Sequence, residues 1–241
     1  MTLEPRTVLE HLDELEAVDL GLEGVLRAEE PAAVVVKEDA ELHRAIAKAL
    51  DAGELAQEFA AYLSLDLPLS APSGKEYMEG FVTTIGRSIA LPRADFARER
   101  VGARILTKPH EWQHVRQHAK GVAAGWWPEA VSHSVLYLAG VLRREEGAEY
   151  VGKVEGDAYA VTEFLRFWFT GAARPQEYVA DLLARQYNLI GIGTDVARGV
   201  LLPHYRSILR GEAPNVWAAR LAGEFLDTNF PHLRGAFASF P

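Results

Sequence analysis

The sequence predicts a mainly α protein, α+β in detail, with one small sheet. Apolar residues recur at three- and four-residue spacing over most of the chain, which is the signature of amphipathic helices. A single stretch, GFVTTIGRSIALP from Gly80 to Pro92, is instead dense in β-branched residues. With 49% apolar and 24% charged residues in 241, the composition is that of a globular chain able to bury an ordinary core.

Taken in order, Thr7 to Leu20 and Ala40 to Leu63 carry the helical period. Between them AAVVVK, Ala32 to Lys37, is a short β-branched run with the character of a strand. LDLPLSAPSGKE, Leu65 to Glu76, is rich in Pro, Ser and Gly and is expected to be a loop. In the stretch that follows, Phe81, Ile85, Ile89 and Leu91 fall on one face, as one strand or as a tight pair bent at Gly86. Pro92 ends it and a short helix is expected over Ala94 to Arg100.

Pro109, with Thr107 as a cap, is expected to open a helix reaching about Lys120. Pro128 opens another, and VEGDAYAVTEFLRFWF forms a third that begins at about Glu155 and stops at Gly171. RPQEYVADLLARQYNL, TDVARGVLLPHYRSILRG and PNVWAARLAGEFLDTNF complete the helical set. Three segments result: an N-terminal helical region over 1–70, a core over 71–172 and a C-terminal helical region over 173–241, the last forming one unit with the core.

Several classes of function are set aside by composition. Cysteine is absent, so disulfides, iron–sulfur clusters, thiolate zinc sites and cysteine nucleophiles are all excluded. A net charge of −9 argues against nucleic acid as a partner, because phosphate contacts need a surplus of Lys and Arg. No apolar run is long enough for a membrane span and the acidic start has no signal-peptide pattern, so a cytoplasmic protein is expected. LIGIGTDVARG, Leu189 to Gly199, lacks the spacing of a phosphate loop and is expected to be a helix start capped by Thr194. The aromatics Trp126, Trp127 and Phe164 to Phe169 are expected in the core, and Glu145, Glu146 and Glu149 on a solvated face.

Chemistry concentrates in TKPHEWQHVRQHAKG, Thr107 to Gly121, which holds three of the chain's eight histidines. On a helix, His110 and His114 share a face one turn apart, where two imidazoles converge on one metal. Glu111 follows the first of them and is placed to act as general base on a metal-bound water. His118, roughly 12 Å beyond His110 along a straight helix, is too far to ligate the same ion and is expected as a polar position near the helix end. Downstream, Glu155 shares a helical face with the small residues Ala158 and Thr162, so a second helix can approach and Glu155 can complete a His₂Glu site. A helix-start glutamate held by the dipole is the alternative for Glu155.

These motifs, TTIGRSIALP, HEWQH on a helix and EGDAYA on a later one, resemble those of the zincin metallopeptidases, gluzincin branch, over Phe81 to Phe169. The resemblance implies a zincin-like core with Zn²⁺ held by His110, His114 and Glu155. It further implies peptide-bond hydrolysis by a water that Glu111 deprotonates, with an extended peptide or protein substrate laid along the upstream strand. Many gluzincins carry an aspartate four residues after the ligand glutamate, where this chain has Tyr159, which leaves open what orients the ligands. Tyr150, Tyr159, Tyr178 and His133 are the candidates for stabilising the oxyanion. A zincin-like structural or assembly protein, bound to a partner through its helical flanks and with little turnover, is the second reading.

Overall fold

A computed structural model describes residues 7–52, 73–124, 144–187 and 192–241, with backbone alone over 144–148. The expectations for Trp126, Trp127, His133, the helix opened by Pro128, and the side chains of Glu145 and Glu146 fall outside the described residues.

Among the described residues the protein is mainly helical, with one three-stranded sheet. A 3₁₀ turn, Val8–His11, leads into α1 (Leu12–Glu29), and β1 (Ala33–Val36) follows. After β1 comes α2 (Glu41–Asp51), and then α3 (Gly74–Gly80). The sheet is completed by β2 (Thr83–Ile85) and β3 (Ser88–Leu91). The α-helices that follow among the described residues are α4 (Val101–Ala123), α5 (Arg144–Thr170), α6 (Gln176–Gln186), α7 (Thr194–Ile208) and α8 (Trp217–Asn229).

The β-branched stretch is a tight pair, bent at Gly86 where φ is +58°, a value glycine adopts without steric cost. That reversal breaks the single alternation expected from Phe81 to Leu91: Ile89 and Leu91 are fully buried, whereas Phe81 is 48% exposed. Strand order is β1-β3-β2, with β1 parallel and β2 antiparallel to the central β3. The strand seen in AAVVVK is thus part of the same sheet as the hairpin.

Five boundaries differ from expectation. Of the loop expected over Leu65 to Glu76, residues 65–72 lie outside the described ones, and the remainder enters α3 at Gly74, where Ser73 with Glu76 forms a reciprocal capping box. Ala94 to Arg100 forms two short 3₁₀ turns, Arg93–Phe96 and Arg98–Arg100, in place of one helix. α4 starts at Val101 and runs through Pro109, which lies in its interior. Proline removes one helical hydrogen bond at a cost of about 3 kcal/mol, and the burial of Val101, Ile105 and Leu106 on the preceding turns offsets it. Likewise α5 begins at Arg144, so Glu155 lies mid-helix and the dipole-held alternative is removed. Gly193, not Thr194, occupies the cap position of α7.

One hydrophobic cluster joins Leu15, Val18, Leu22 and Leu26 of α1 to Ile105, Trp112 and Val115 of α4. Phe164, Trp168 and Phe169 of α5 and Ala222 and Leu226 of α8 belong to it too, so the aromatics of FLRFWF are core as expected. A second cluster unites α6 and α7 with Val151 and Tyr159 of α5. Buried ions clamp α1 to α4: Asp19 Oδ2 accepts from Arg104 Nε at 2.9 Å and from Lys108 Nζ at 3.0 Å, and Lys108 also reaches Glu23 at 2.7 Å. Among the described residues no helix is long and apolar enough to cross a membrane.

Candidate metal centre

From Val101 to Ala119 no residue of α4 is exposed, so this helix is enclosed on all sides. At 100° per residue, five consecutive positions sample every face, so Glu111, Trp112 and Gln113 each meet a different part of the fold while the two histidines share one. Trp112 is fully buried and donates from Nε1 to the Glu30 carbonyl at the end of α1 (3.0 Å). Gln113 Oε1 accepts from the Ala218 backbone N–H at 3.3 Å, serving the open N-terminus of α8. His110 and His114 face α5, and Glu111 faces β2.

The small face of α5 permits the close approach foreseen from the sequence. His110 Nδ1 lies 3.1 Å from Thr162 Oγ1, and the imidazole also hydrogen-bonds the Ala158 carbonyl. His114 Nε2 lies 3.6 Å from Glu155 Oε1. The two imidazole rings meet edge to face, 5.1 Å between centroids. One ligand atom from each of His110, His114 and Glu155 lies within 4.8 Å of the other two. Two imidazoles and a carboxylate are a donor set that suits zinc, so the residues present fit a divalent cation.

Burial dominates the electrostatics. It pushes the Glu155 carboxyl up to about 8, against a hydrogen bond with Tyr187 that favours the charged form. Burial, with His114 alongside, holds His110 well below the usual imidazole range, which keeps it in the neutral form a metal requires. Burial raises Glu111 too, while His114, the Thr84 hydroxyl and Lys37 pull it back down. Thr84 Oγ1 donates to Glu111 Oε2 at 2.6 Å.

β2 is itself pinned by a buried ammonium. Lys37 Nζ donates to the Tyr77 carbonyl at 2.6 Å, the Phe81 carbonyl at 2.9 Å and Thr83 Oγ1 at 2.9 Å, using all three of its protons.

Of the sequence-derived residues, His110, Glu111, His114 and Glu155 come together. His118 stays outside the cluster, as expected from its distance, but it is buried and not a polar end position: it lies under the hairpin, its Nε2 3.9 Å from where a Cβ on Gly86 would sit. Tyr159 packs its ring 5.4 Å from His110 and donates its hydroxyl to Gln186. Tyr178 is half exposed beside Arg174, away from the cluster. Tyr150 lines a groove of about 980 Å³ between α5 and α7, where Asp157 pairs with His204 at 3.2 Å.

Thr84, Gln117 and Tyr187 were not foreseen from the sequence, and Thr162 was foreseen only as a small residue that lets α4 approach, not as a partner of His110. Gln117 accepts from His114 at 3.0 Å, and Tyr187 hydrogen-bonds Glu155. Thr162, one turn beyond Ala158, is the side chain that meets His110, whereas the partner was sought four residues after Glu155, at Tyr159. None of these contacts follows a local spacing rule except Gln117, which is one turn from His114.

Protein-family models, curated proteins and solved structures were each compared with the chain, and none matches.

Proposed function

We propose that the protein is a zinc-dependent metallopeptidase with a zincin-like core, its ligands His110, His114 and Glu155 and its general base Glu111. The convergence of those three ligand atoms within 4.8 Å, two of them on the helix that also carries Glu111 and the third on α5, is the observation that supports this most. A structural metal needs ligands and no base, so the hydroxyl held on Glu111 favours catalysis over the structural alternative.

A zinc ion held there would polarise a carbonyl oxygen and acidify a water in contact with it. Glu111 takes the proton from the attacking water at Oε1, the oxygen that Thr84 does not hold, and passes it to the amide nitrogen as the peptide bond breaks. Thr84 keeps the carboxylate in one orientation through both transfers. His110 and His114 would hold the ion with each Nδ1 engaged by a neighbouring side chain.

The substrate is an extended peptide added to the outer edge of β2, which no other strand covers among the described residues. In a two-residue hairpin the flanking pair, Ile85 and Ser88, is turned inward. Thr84, the next residue, therefore directs its backbone N–H and C=O away from β3. Its side chain thus serves the base while its backbone is offered to the peptide.

Elemental mass spectrometry of the purified chain, beside a peptide-cleavage screen, tests this. Stoichiometric zinc in the parent, its loss in His114→Ala and Glu155→Ala, and cleavage abolished in a Glu111→Gln variant that retains zinc are the expected results. A parent that takes up no zinc when supplied with it would refute the proposal.

A further inference from the structure

Gln117 lies one turn beyond His114 on α4 and bridges two groups. Its Oε1 is 3.0 Å from His114 Nδ1, and its Nε2 donates to the Val154 carbonyl at 3.0 Å. Val154 directly precedes Glu155 on α5. A carbonyl oxygen can only accept, so the amide NH₂ end is committed to Val154 and the amide oxygen must face the imidazole. That oxygen can only accept in turn, so the proton of a neutral His114 resides on Nδ1. Nε2 then presents its lone pair, and it is the nitrogen 3.6 Å from Glu155 Oε1. A flipped amide would set two acceptors against each other at Val154 and two hydrogen-bond donors against the imidazole.

We propose that Gln117 is a positioning residue that locks His114 in the Nδ1–H tautomer and ties that tautomer to the backbone beside Glu155, thereby setting the affinity of the centre for its cation. The inference rests on the metal-centre reading given above. The chemistry needed here is one donor and one acceptor on a single side chain. Glutamate keeps only the acceptor, and leucine keeps neither. Partners of this kind orient metal ligands, and their loss typically weakens binding by about 10- to 100-fold.

The test uses the full chain, with zinc affinity measured by chelator competition in the parent, Gln117→Leu and Gln117→Glu. It is joined by long-range ¹H–¹⁵N NMR of the His114 imidazole in the metal-free protein. Gln117→Leu should bind zinc about 10- to 100-fold more weakly, and Gln117→Glu should recover part of the loss because His114 keeps an acceptor. The metal-free parent should show His114 as the Nδ1–H form, and Gln117→Leu should lose that single form. Equal affinity in a folded Gln117→Leu variant, or an Nε2–H tautomer in the parent, overturns the proposal. If Gln117→Leu fails to fold, the parent tautomer and Gln117→Glu still decide it. A parent that binds no zinc overturns the metal-centre reading and the affinity claim with it, while the tautomer separately decides the lock.

Discussion

The Thr84 hydroxyl donates to Glu111 Oε2 at 2.6 Å in a buried contact, linking an edge strand of the sheet to the helix that carries two of the proposed metal ligands. A carboxylate held at one oxygen has one orientation left for the other. Thr84→Val keeps the shape and β-branching of the side chain and removes the donor. It should lower kcat by about tenfold, or ~1.4 kcal/mol in the barrier, with zinc content unchanged. Thr84→Ser should restore most of the rate. Steady-state peptide cleavage with a metal assay on the same samples checks this, and an unchanged kcat in Thr84→Val would remove the residue from the mechanism.

Asp19 accepts from both Arg104 and Lys108 with all three side chains buried. Removing one member of such a cluster leaves uncompensated charge in a low-dielectric site, which costs about 3–5 kcal/mol. Asp19→Ala should therefore lower the urea midpoint markedly. Arg98, which pairs with Asp13 and Glu16 at the surface, gives the contrast. Arg98→Ala should change stability by less than about 1 kcal/mol.

His43 is buried, with its Nδ1 2.6 Å from the Tyr77 hydroxyl. Burial first, and the Lys37 charge second, lower its pKa from 6.5 to about 4. The folded value lies below the unfolded one, so between those two pH values the unfolded chain binds more protons and stability falls as the solution is acidified. The slope reaches about 1.4 kcal/mol per pH unit and vanishes above the unfolded value. Urea melts at several pH values should show the stability gap between the parent and His43→Phe narrowing on acidification through this window. A constant gap would rule out the assignment.

Gly156 permits α5 and α7 to touch: a Cβ there would lie 2.9 Å from Val200 Cγ2. Alanine is favoured over glycine in a helix by about 1 kcal/mol, but overpacking costs about 1–3 kcal/mol. Val200 is short and has little room to yield, so Gly156→Ala should destabilise. It should also weaken zinc binding through the displaced neighbour Glu155. Adding Val200→Ala should recover stability beyond additivity, measurable in a double-mutant cycle.

The pair His110 and His114, with Glu111 between them, was legible because a helix converts a spacing of four into a shared face. Glu155 was legible for a weaker reason, the small residues Ala158 and Thr162 that share its face and let α4 approach. The extent of the helices was not. Pro109 has the local grammar of a helix start, and only the burial of Val101, Ile105 and Leu106 extends the helix back through it. α3 did carry a local sign, the Ser73 and Glu76 capping box. Thr84 and Tyr187 carried none, since each meets the site through a contact that only tertiary folding creates.

With no residue from Val101 to Ala119 exposed, α4 has no outward side on which sequence can drift freely. On an ordinary surface helix, tolerance to substitution rises and falls every three to four positions. On α4 that rhythm should be missing: a saturation scan would return a nearly flat, intolerant profile through the ligands and their neighbours alike. Intolerance along this stretch would then fail to separate catalysis from architecture. Only a change that leaves the protein folded and alters its chemistry could tell them apart.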